Sequence, residues 1–317
     1  MSGVRDVNRK IVVTGAAGLV GQNLIQRLVA RQAGSIVAID KHPANTALLR
    51  KLHPGVEVIE ADLAENGAWE QAFAGADALV LNQAQIGALT QDPFIANNIT
   101  ATEKVIAAAK AAGVGNVVHI SSSVVNSAAC DFYTETKKAQ EKLVAASGLP
   151  VTVLRPTLMF GWFDRKHLGW LARFMQKVPV FPIPGDGRYL RQPLFVGDFC
   201  DIIAACIDTP HHGEAFNITG LERIDYIDLM RAVKASTGAR AAIVTIPYGL
   251  FWLLLKTYAL IDSNPPFTVS QLKALVTPDV FEVIDWPGIF GVKPTPLQAA
   301  LDLTFRDPTY SQIALEF

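Results

Sequence analysis

Cysteine is scarce in this chain, and so is charge of either sign. Cys130, Cys200 and Cys206 are the three cysteines in 317 residues. They form no C-x-x-C pair, and an odd number cannot be fully paired within one chain, so a disulfide scaffold is excluded and a reducing cytoplasm is expected. Charged residues make up 18%, and 28 Lys+Arg against 29 Asp+Glu give a net charge of −1. That balance offers no basic excess to neutralise a phosphate backbone, which argues against nucleic acid as a partner. No uncharged apolar run reaches the roughly 18 residues of a spanning helix; the most apolar stretch, 246–261, is interrupted by Lys256. Residues 1–10 carry Arg5, Asp6, Arg9 and Lys10 without the apolar core and small-residue cleavage site of a secretory signal. The six histidines, at 42, 53, 119, 167, 211 and 212, show neither H-E-x-x-H nor a companion cysteine cluster. No metal site is therefore expected, and no G-x-S-x-G elbow marks a serine nucleophile. His119, Cys200 and Cys206 read as buried packing residues.

Apolar residues are abundant instead, at 50%, enough for a packed core and for two domains. Short β-branched runs at 10–14, 35–40, 56–60, 78–81, 117–121 and 151–155 alternate with helical patterns at 21–33, 69–73, 94–112 and 134–147. Several of these helices stop near Gly34, Gly75, Gly113 or Gly148, where a left-handed cap is easy. Repeated βαβ units predict an α/β fold with a doubly wound parallel sheet, its strands buried on both faces. After Pro156 the texture changes to Pro179, Pro182, Pro184, Gly185 and Gly187 among aromatic and basic residues, which suits a smaller, mixed C-terminal substrate lobe. The expected division is a first domain over 1–160, rejoined at about 194–215, and a substrate lobe over 161–193 and 216–317.

Residues that could carry chemistry cluster in the first half. The stretch from Thr14 to Gly21, TGAAGLVG, follows a strand and opens a helix. Gly15 would permit the tight turn, Gly18 would let backbone approach a pyrophosphate, and Gly21 would allow close helix packing, with the helix N-terminus facing the phosphates. Taken alone, the same glycines also fit an ordinary tight turn. Asp40 ends the second strand, 19 residues past Gly21, where a carboxylate can accept both ribose hydroxyls and repel a 2′-phosphate, favouring NAD over NADP. Neighbouring Lys41 and His42 pull the other way, and a solvated strand-end aspartate is the plainer reading. Asp62 could meet the adenine or simply form a turn.

Tyr133 and Lys137 are four apart at a helix start, so both side chains lie on one face. A phenol of pKa about 10 is a poor base at neutrality, and an adjacent ammonium stabilises its phenolate; a shift of about three units is worth roughly 4 kcal/mol. Ser121, Ser122 and Ser123 close a strand just upstream and could orient a substrate oxygen. Tyr-x-x-x-Lys on its own usually marks an exposed helix face; the combination with the serines and the glycine turn is more specific.

From Thr14 to about Asp198 the chain resembles an extended short-chain dehydrogenase/reductase of the NAD-dependent sugar epimerase/dehydratase family. The matching stretches are TGAAGLVG, the strand-end Asp40, ADL with Asp62, Asn98 after Asp92-Pro93, SSS at 121–123, YTETK at 133–137, LRPTLMFG at 154–161 and GDGRYLRQPLFVGDF at 185–199. The resemblance implies a Rossmann-type domain and NAD. It assigns catalysis to Ser123, Tyr133 and Lys137. It assigns coenzyme contacts to Gly15, Ala17, Gly18, Leu19 and Val20 in the turn, Asp40 and Lys41 at the second strand, and Asp62 and Leu63. Further contacts fall to Asn82, Ala84, Asn98, Ser121 and Pro156, with Tyr133 and Lys137 shared. Ser122, Ser123, Tyr133 and Arg191 would bind substrate, Arg191 through a nucleotide diphosphate, while Asp198 returns the chain to the first domain. Helices around 94–112 and 134–147 would pair two copies into a homodimer.

Two departures stand out. Ser123 and Tyr133 are only ten residues apart, where the family usually has a longer loop, and 81–85, Leu-Asn-Gln-Ala-Gln, is more polar than the small apolar turn usual there. The segment 246–255 is apolar nearly all round, which suits core or dimer packing, or a surface resting on a membrane or accepting a lipid-linked substrate. Three readings follow. The first is an epimerase of a nucleotide-linked or polyprenyl-diphosphate-linked sugar, acting through a transient ketone in surface-polysaccharide or glycan-precursor synthesis. The others are a dehydrogenase/reductase of a hydroxysteroid-like or other apolar alcohol, and a non-catalytic NAD-binding assembly protein.

Overall fold

A computed structural model of the chain describes residues 9–258, 269–277 and 280–316. The charged residues at 1–8 and the end of the 246–261 stretch lie outside them. Strand β1 (Lys10–Thr14) enters the glycine-rich turn and leaves it as α1 (Leu19–Ala30). β2 (Ser35–Asp40), α2 (Pro43–Leu52) and β3 (Glu57–Glu60) follow. α2 was not evident in the hydrophobic periodicity, yet Pro43 in its first turn supplies a helix-ready backbone. Residues 68–73 form a 3₁₀ turn rather than an α-helix, ahead of β4 (Ala78–Leu81).

The helix expected over 94–112 is three pieces: α3 (Asp92–Phe94), a π-helical turn (Ile95–Thr100) and α4 (Ala101–Ala111). Such wide turns often accompany functional sites, and this one holds the buried Asn98. β5 (Asn116–Ile120), α5 (Phe132–Ala145) and β6 (Val151–Pro156) complete the first half. The second half brings β7 (Met159–Phe160), α6 (Leu168–Lys177), β8 (Val180–Pro184), β9 (Leu190–Arg191) and β10 (Leu194–Phe195). Next come α7 (Val196–Asp208), β11 (Ala215–Ile218), β12 (Ile224–Asp225), α8 (Tyr226–Thr237) and β13 (Ala242–Ile246). α9 (Tyr248–Tyr258), α10 (Val269–Val276), α11 (Trp286–Phe290) and α12 (Leu297–Arg306) end the chain.

Seven strands make one sheet in the order β11-β6-β5-β4-β1-β2-β3, every neighbouring pair parallel. This is a Rossmann-type doubly wound sheet. Val12 stands opposite Val37 on one side and Leu79 on the other, and Ile11, Val12 and Val13 have no exposed surface. One apolar layer joins the sheet to α1 and α7 through Leu24, Ile25, Phe199 and Ile203. The opposite layer joins it to α4 and α5 through Trp69, Phe73, Val105 and Val144. Because the order reverses between β1 and β4, the segments leaving these strands diverge and open a crevice at their carboxyl ends, where such sheets bind ligands.

A third apolar cluster packs α6, α8 and α12 with the parallel pair β8 and β13, around Met175, Ile183, Met230 and Leu301. The chain regains the main sheet through α7 and β11, whose four residues pair with 153–156 of β6. Trp286, Phe290 and Val292, far along the chain, pack in the same layer as α1 and α7, and the Trp286 indole donates to the Thr219 carbonyl at 2.9 Å. None of α9 is buried among the described residues; Leu250, Leu253 and Leu254 are each about half exposed. Among the described residues the 246–255 segment is therefore not part of the core. No described helix is long and apolar enough to cross a membrane.

Candidate active site

The crevice is built by the glycine turn below, the residues after β4 to one side and the start of α5 to the other. Gly15 has φ +60, and a Cβ there would fall 2.7 Å from the Gln83 Cα. A Cβ on Gly21 would fall 2.4 Å from the Ala16 carbonyl oxygen. Both positions therefore demand glycine, one for conformation and one for helix packing. α1 begins with no side-chain cap at Gly18 and no acidic residue in its first turn, an arrangement suited to a phosphate at Leu19 and Val20. The cradle thus fits a dinucleotide.

Asp40 accepts from the Ala17 amide at 2.9 Å with one carboxylate oxygen and from the His42 amide at 3.0 Å with the other. It locks the turn from the end of β2, where remaining lone pairs can accept ribose hydroxyls. Lys41 is turned away into an ion pair with Asp62 at 3.0 Å and a hydrogen bond to Asn97 at 2.7 Å. Burial opposes charge on Asp62, but the Ala64 amide and Lys41 outweigh it and lower the pKa. Lys41, next to Asp40, is thereby paired, which suits NAD rather than a 2′-phosphate. Leu63 packs in the layer beneath α4.

On the other flank, Asn82 donates its side-chain amide to the Gly15 carbonyl at 3.0 Å and its backbone N–H to the Thr14 hydroxyl at 3.1 Å. Ala84 is exposed next to it. Asn98 accepts from the Gln85 amide at 2.7 Å and donates to the Gln85 carbonyl and the Thr136 hydroxyl. Both of its donors are thus used to brace the post-β4 segment against α5. Ser121 donates to Glu141, whose carboxylate is bound by Arg155 on β6 through Nε at 3.1 Å to each oxygen. Pro156 ends β6 in a buried position.

Asp131 caps α5, accepting from the Thr134 amide at 3.0 Å. That cap fixes the first turn carrying Tyr133. Burial raises the Tyr133 pKa, opposed by a hydrogen bond with the Ser122 side chain. Ser122 caps the 3₁₀ turn (Ser123–Asn126) that Ser123 starts, its hydroxyl accepting from the Val124 amide at 3.4 Å. One helical turn on, Lys137 is 1% exposed. Its ammonium donates to the Ile120 carbonyl at 3.0 Å and to the Gln140 side-chain carbonyl. Burial pushes the Lys137 pKa down to about 7, partly offset by the Glu141 charge. Burial, and then the charge of Lys137, hold the His119 imidazole neutral, so it is a core residue of β5. Cys200 and Cys206 are fully buried, their thiols pushed up to about 12.

Arg191 lies on β9 with its guanidinium over the Tyr189 ring at 5.2 Å. It donates to the Thr277 carbonyl at 2.8 Å, the Leu190 carbonyl at 2.9 Å and the Leu275 carbonyl. Asp198 accepts from the Thr295 amide at 2.9 Å and hydroxyl at 2.6 Å, joining α7 to the segment before α12. Among the described residues no group of His, Cys, Asp and Glu could hold a metal ion.

Sequence reasoning missed Gln140 and Thr102. Gln140 lies three residues past Lys137, on the same helical face. With Gln83, the three form a buried polar network that the polarity of 81–85 hinted at.

The profile of the NAD dependent epimerase/dehydratase family matches residues 11–219. The (4-alkanoyl-5-oxo-2,5-dihydrofuran-3-yl)methyl phosphate reductase of Streptomyces griseus is 32% identical over 219 residues, covering 68% of this chain and 69% of that protein. The 2-alkyl-3-oxoalkanoate reductase of Stenotrophomonas maltophilia is 27% identical, covering 90% of this chain and 94% of its own length. The UDP-glucuronic acid 4-epimerase from Bacillus cereus, solved with NAD, superposes with a TM-score of 0.73 at 21% identity, covering 94% of this chain and 97% of that one. With its sheet, its glycine cradle and the match over most of its length, the chain belongs to the NAD-dependent epimerase/dehydratase family, the extended short-chain dehydrogenases/reductases.

Proposed function

We propose that this protein is an NAD-dependent epimerase of a sugar carried on a nucleotide or polyprenyl diphosphate, acting through a transient ketone in glycan-precursor synthesis. The observation that carries the chemistry is the half-buried Tyr133, placed at the capped start of α5 one helical turn from the fully buried Lys137. Bound NAD would supply the acceptor and donor of hydride. Gly15, Ala17, Gly18, Leu19 and Val20 would cradle it, with Asp40 at the ribose. Tyr133 would take the proton from the reacting hydroxyl and return it, while Ser122 and Ser123 orient that oxygen. Lys137, when charged, stabilises the phenolate. The sugar assignment draws on the 185–199 stretch, with Arg191 as the diphosphate ligand. We propose a cytoplasmic homodimer pairing the α4 and α5 regions of two copies.

A second reading, net reduction or oxidation of an apolar ketone or alcohol, is favoured by one observation. Arg191 is engaged by the carbonyls of Leu275 and Thr277. A diphosphate would have to displace those bonds, whereas a substrate without one leaves them intact. The two reductase relatives are consistent with this.

Native mass spectrometry for retained NAD and sugar, followed by a substrate panel, tests both readings. An epimerase regenerates its coenzyme and shows no stoichiometric NADH absorbance, while a net dehydrogenase accumulates it. Tyr133→Phe is expected to lose turnover by about 100-fold or more while still binding NAD. Wild-type rates in that variant would defeat both readings.

A further inference from the structure

Beneath the crevice runs a closed chain of side-chain hydrogen bonds that ties Lys137 to the glycine turn. Thr14 donates to the Gln83 side-chain carbonyl at 2.5 Å. The Gln83 amide donates to the Thr102 hydroxyl at 3.2 Å, and the Gln140 amide donates to the same hydroxyl at 2.9 Å. Gln140 also reaches the Gln83 backbone carbonyl at 3.4 Å. Thr14, Gln83, Thr102 and Gln140 are all buried, Gln140 with no exposed surface. Because both Gln140 donors are committed on one side, its carbonyl oxygen must face the other way, onto the Lys137 ammonium.

We propose that Gln140 is a positioning residue for Lys137, its locked amide fixing the ammonium so that one of three donors remains for the coenzyme and phenol. This rests on the reading of Tyr133 and Lys137 as the acid–base pair. An ammonium has three N–H donors; the Ile120 carbonyl takes one and Gln140 another. A lysine stem held only by Ile120 could swing, since four rotatable bonds separate the charge from the helix. The charged and titratable groups around it are Glu141 and Tyr133 on α5, His119 on β5 and Arg155 on β6. Arg155 is paired with Glu141 and His119 is neutral. The Gln140 carbonyl is therefore a direct, uncharged stabiliser of the ammonium, and its removal should disfavour the charged form.

The test uses the full chain labelled with isotopic lysine and followed by NMR titration, with Lys137→Met assigning the resonance. Gln140→Leu should move the Lys137 midpoint to lower pH by about one unit, the size of one charge-assisted hydrogen bond. Gln140→Glu, which restores an acceptor and adds charge, should move it to higher pH. Fluorescence titration with NADH should show affinity weakened about tenfold in Gln140→Leu and weakened also in Gln140→Glu, which keeps an acceptor for Lys137 but loses the amide donors to Thr102 and the Gln83 carbonyl. Thr102→Val, which unlocks the amide without touching Lys137, should shift the midpoint in the Leu direction by less and serves if Gln140→Leu does not fold. An unmoved midpoint, or movement the same way in the Leu and Glu variants, overturns the proposal. Neither NMR nor coenzyme binding depends on turnover, so these outcomes are separate from the Tyr133→Phe result that tests the acid–base reading.

Discussion

Burying an ammonium should leave a signature in the pH dependence of folding. Lys137 is fully enclosed, and burial brings its pKa from 10.5 down to about 7. The unfolded chain therefore holds a proton that the folded chain releases between those values, so stability must rise with pH across this window. The penalty is complete below about 7 and absent above about 10.5. At 1.36 kcal/mol per unit, the whole window corresponds to about 5 kcal/mol, and the span from about pH 7 to about pH 9 to roughly 2–3 kcal/mol. The perturbation is Lys137→Met, which removes the titrating group while keeping an unbranched side chain. Its effect at any one pH includes the loss of donors to Ile120 and Gln140, about 1–3 kcal/mol for each acceptor left unsatisfied. The change in that effect with pH does not. Denaturant unfolding of both proteins, without coenzyme, at about pH 7 and about pH 9 should show wild type gaining roughly 2–3 kcal/mol relative to Lys137→Met. Groups such as Cys200 and Cys206, raised by burial, act in both proteins and cancel. An equal difference at both pH values would refute the claim that Lys137 is desolvated.

Two other perturbations test the coenzyme cradle. Gly15→Ala forces a positive φ on a residue with a Cβ that would lie 2.7 Å from the Gln83 backbone; a cost of about 1–3 kcal/mol in denaturant unfolding is expected, with loss of NADH binding by fluorescence. Unchanged affinity would mean that the turn is not the pyrophosphate cradle. Asp40→Ala removes the acceptor from the Ala17 and His42 amides and the repulsion of a 2′-phosphate. NADH affinity should fall by about tenfold and the preference over NADPH should shrink, as read by competitive binding. A preserved preference would assign selectivity elsewhere.

The sheet was legible in the sequence because its strands are buried on both faces, and continuous runs such as Ile11–Val13 and Ala78–Leu81 have few other uses. Tyr133, Lys137 and the glycine turn were legible because their chemistry depends on local spacing. What escaped depends on contacts distant in sequence. Arg191 meets carbonyls some 84 to 86 residues further on, and nothing near 191 announces them. Gln140 reads as an ordinary helix residue until Thr102 and Gln83 are brought against it. The π-helical turn interrupts what periodicity reads as one helix, since polar Asn97 and Asn98 do not break the apolar spacing around them.

The edge strand β11 comes from residues 215–218, after the segment 161–193 and α7 have been laid down, and pairs with β6 some sixty residues earlier. During synthesis the coenzyme sheet therefore emerges from the ribosome with β6 as a bare margin, its donors and acceptors exposed until residue 218 is free to dock. That interval is when a nascent chain is open to pairing with another copy. Truncating this protein between 156 and 218 would make the interval permanent, since the sheet is completed only by a strand that follows the segment 161–193.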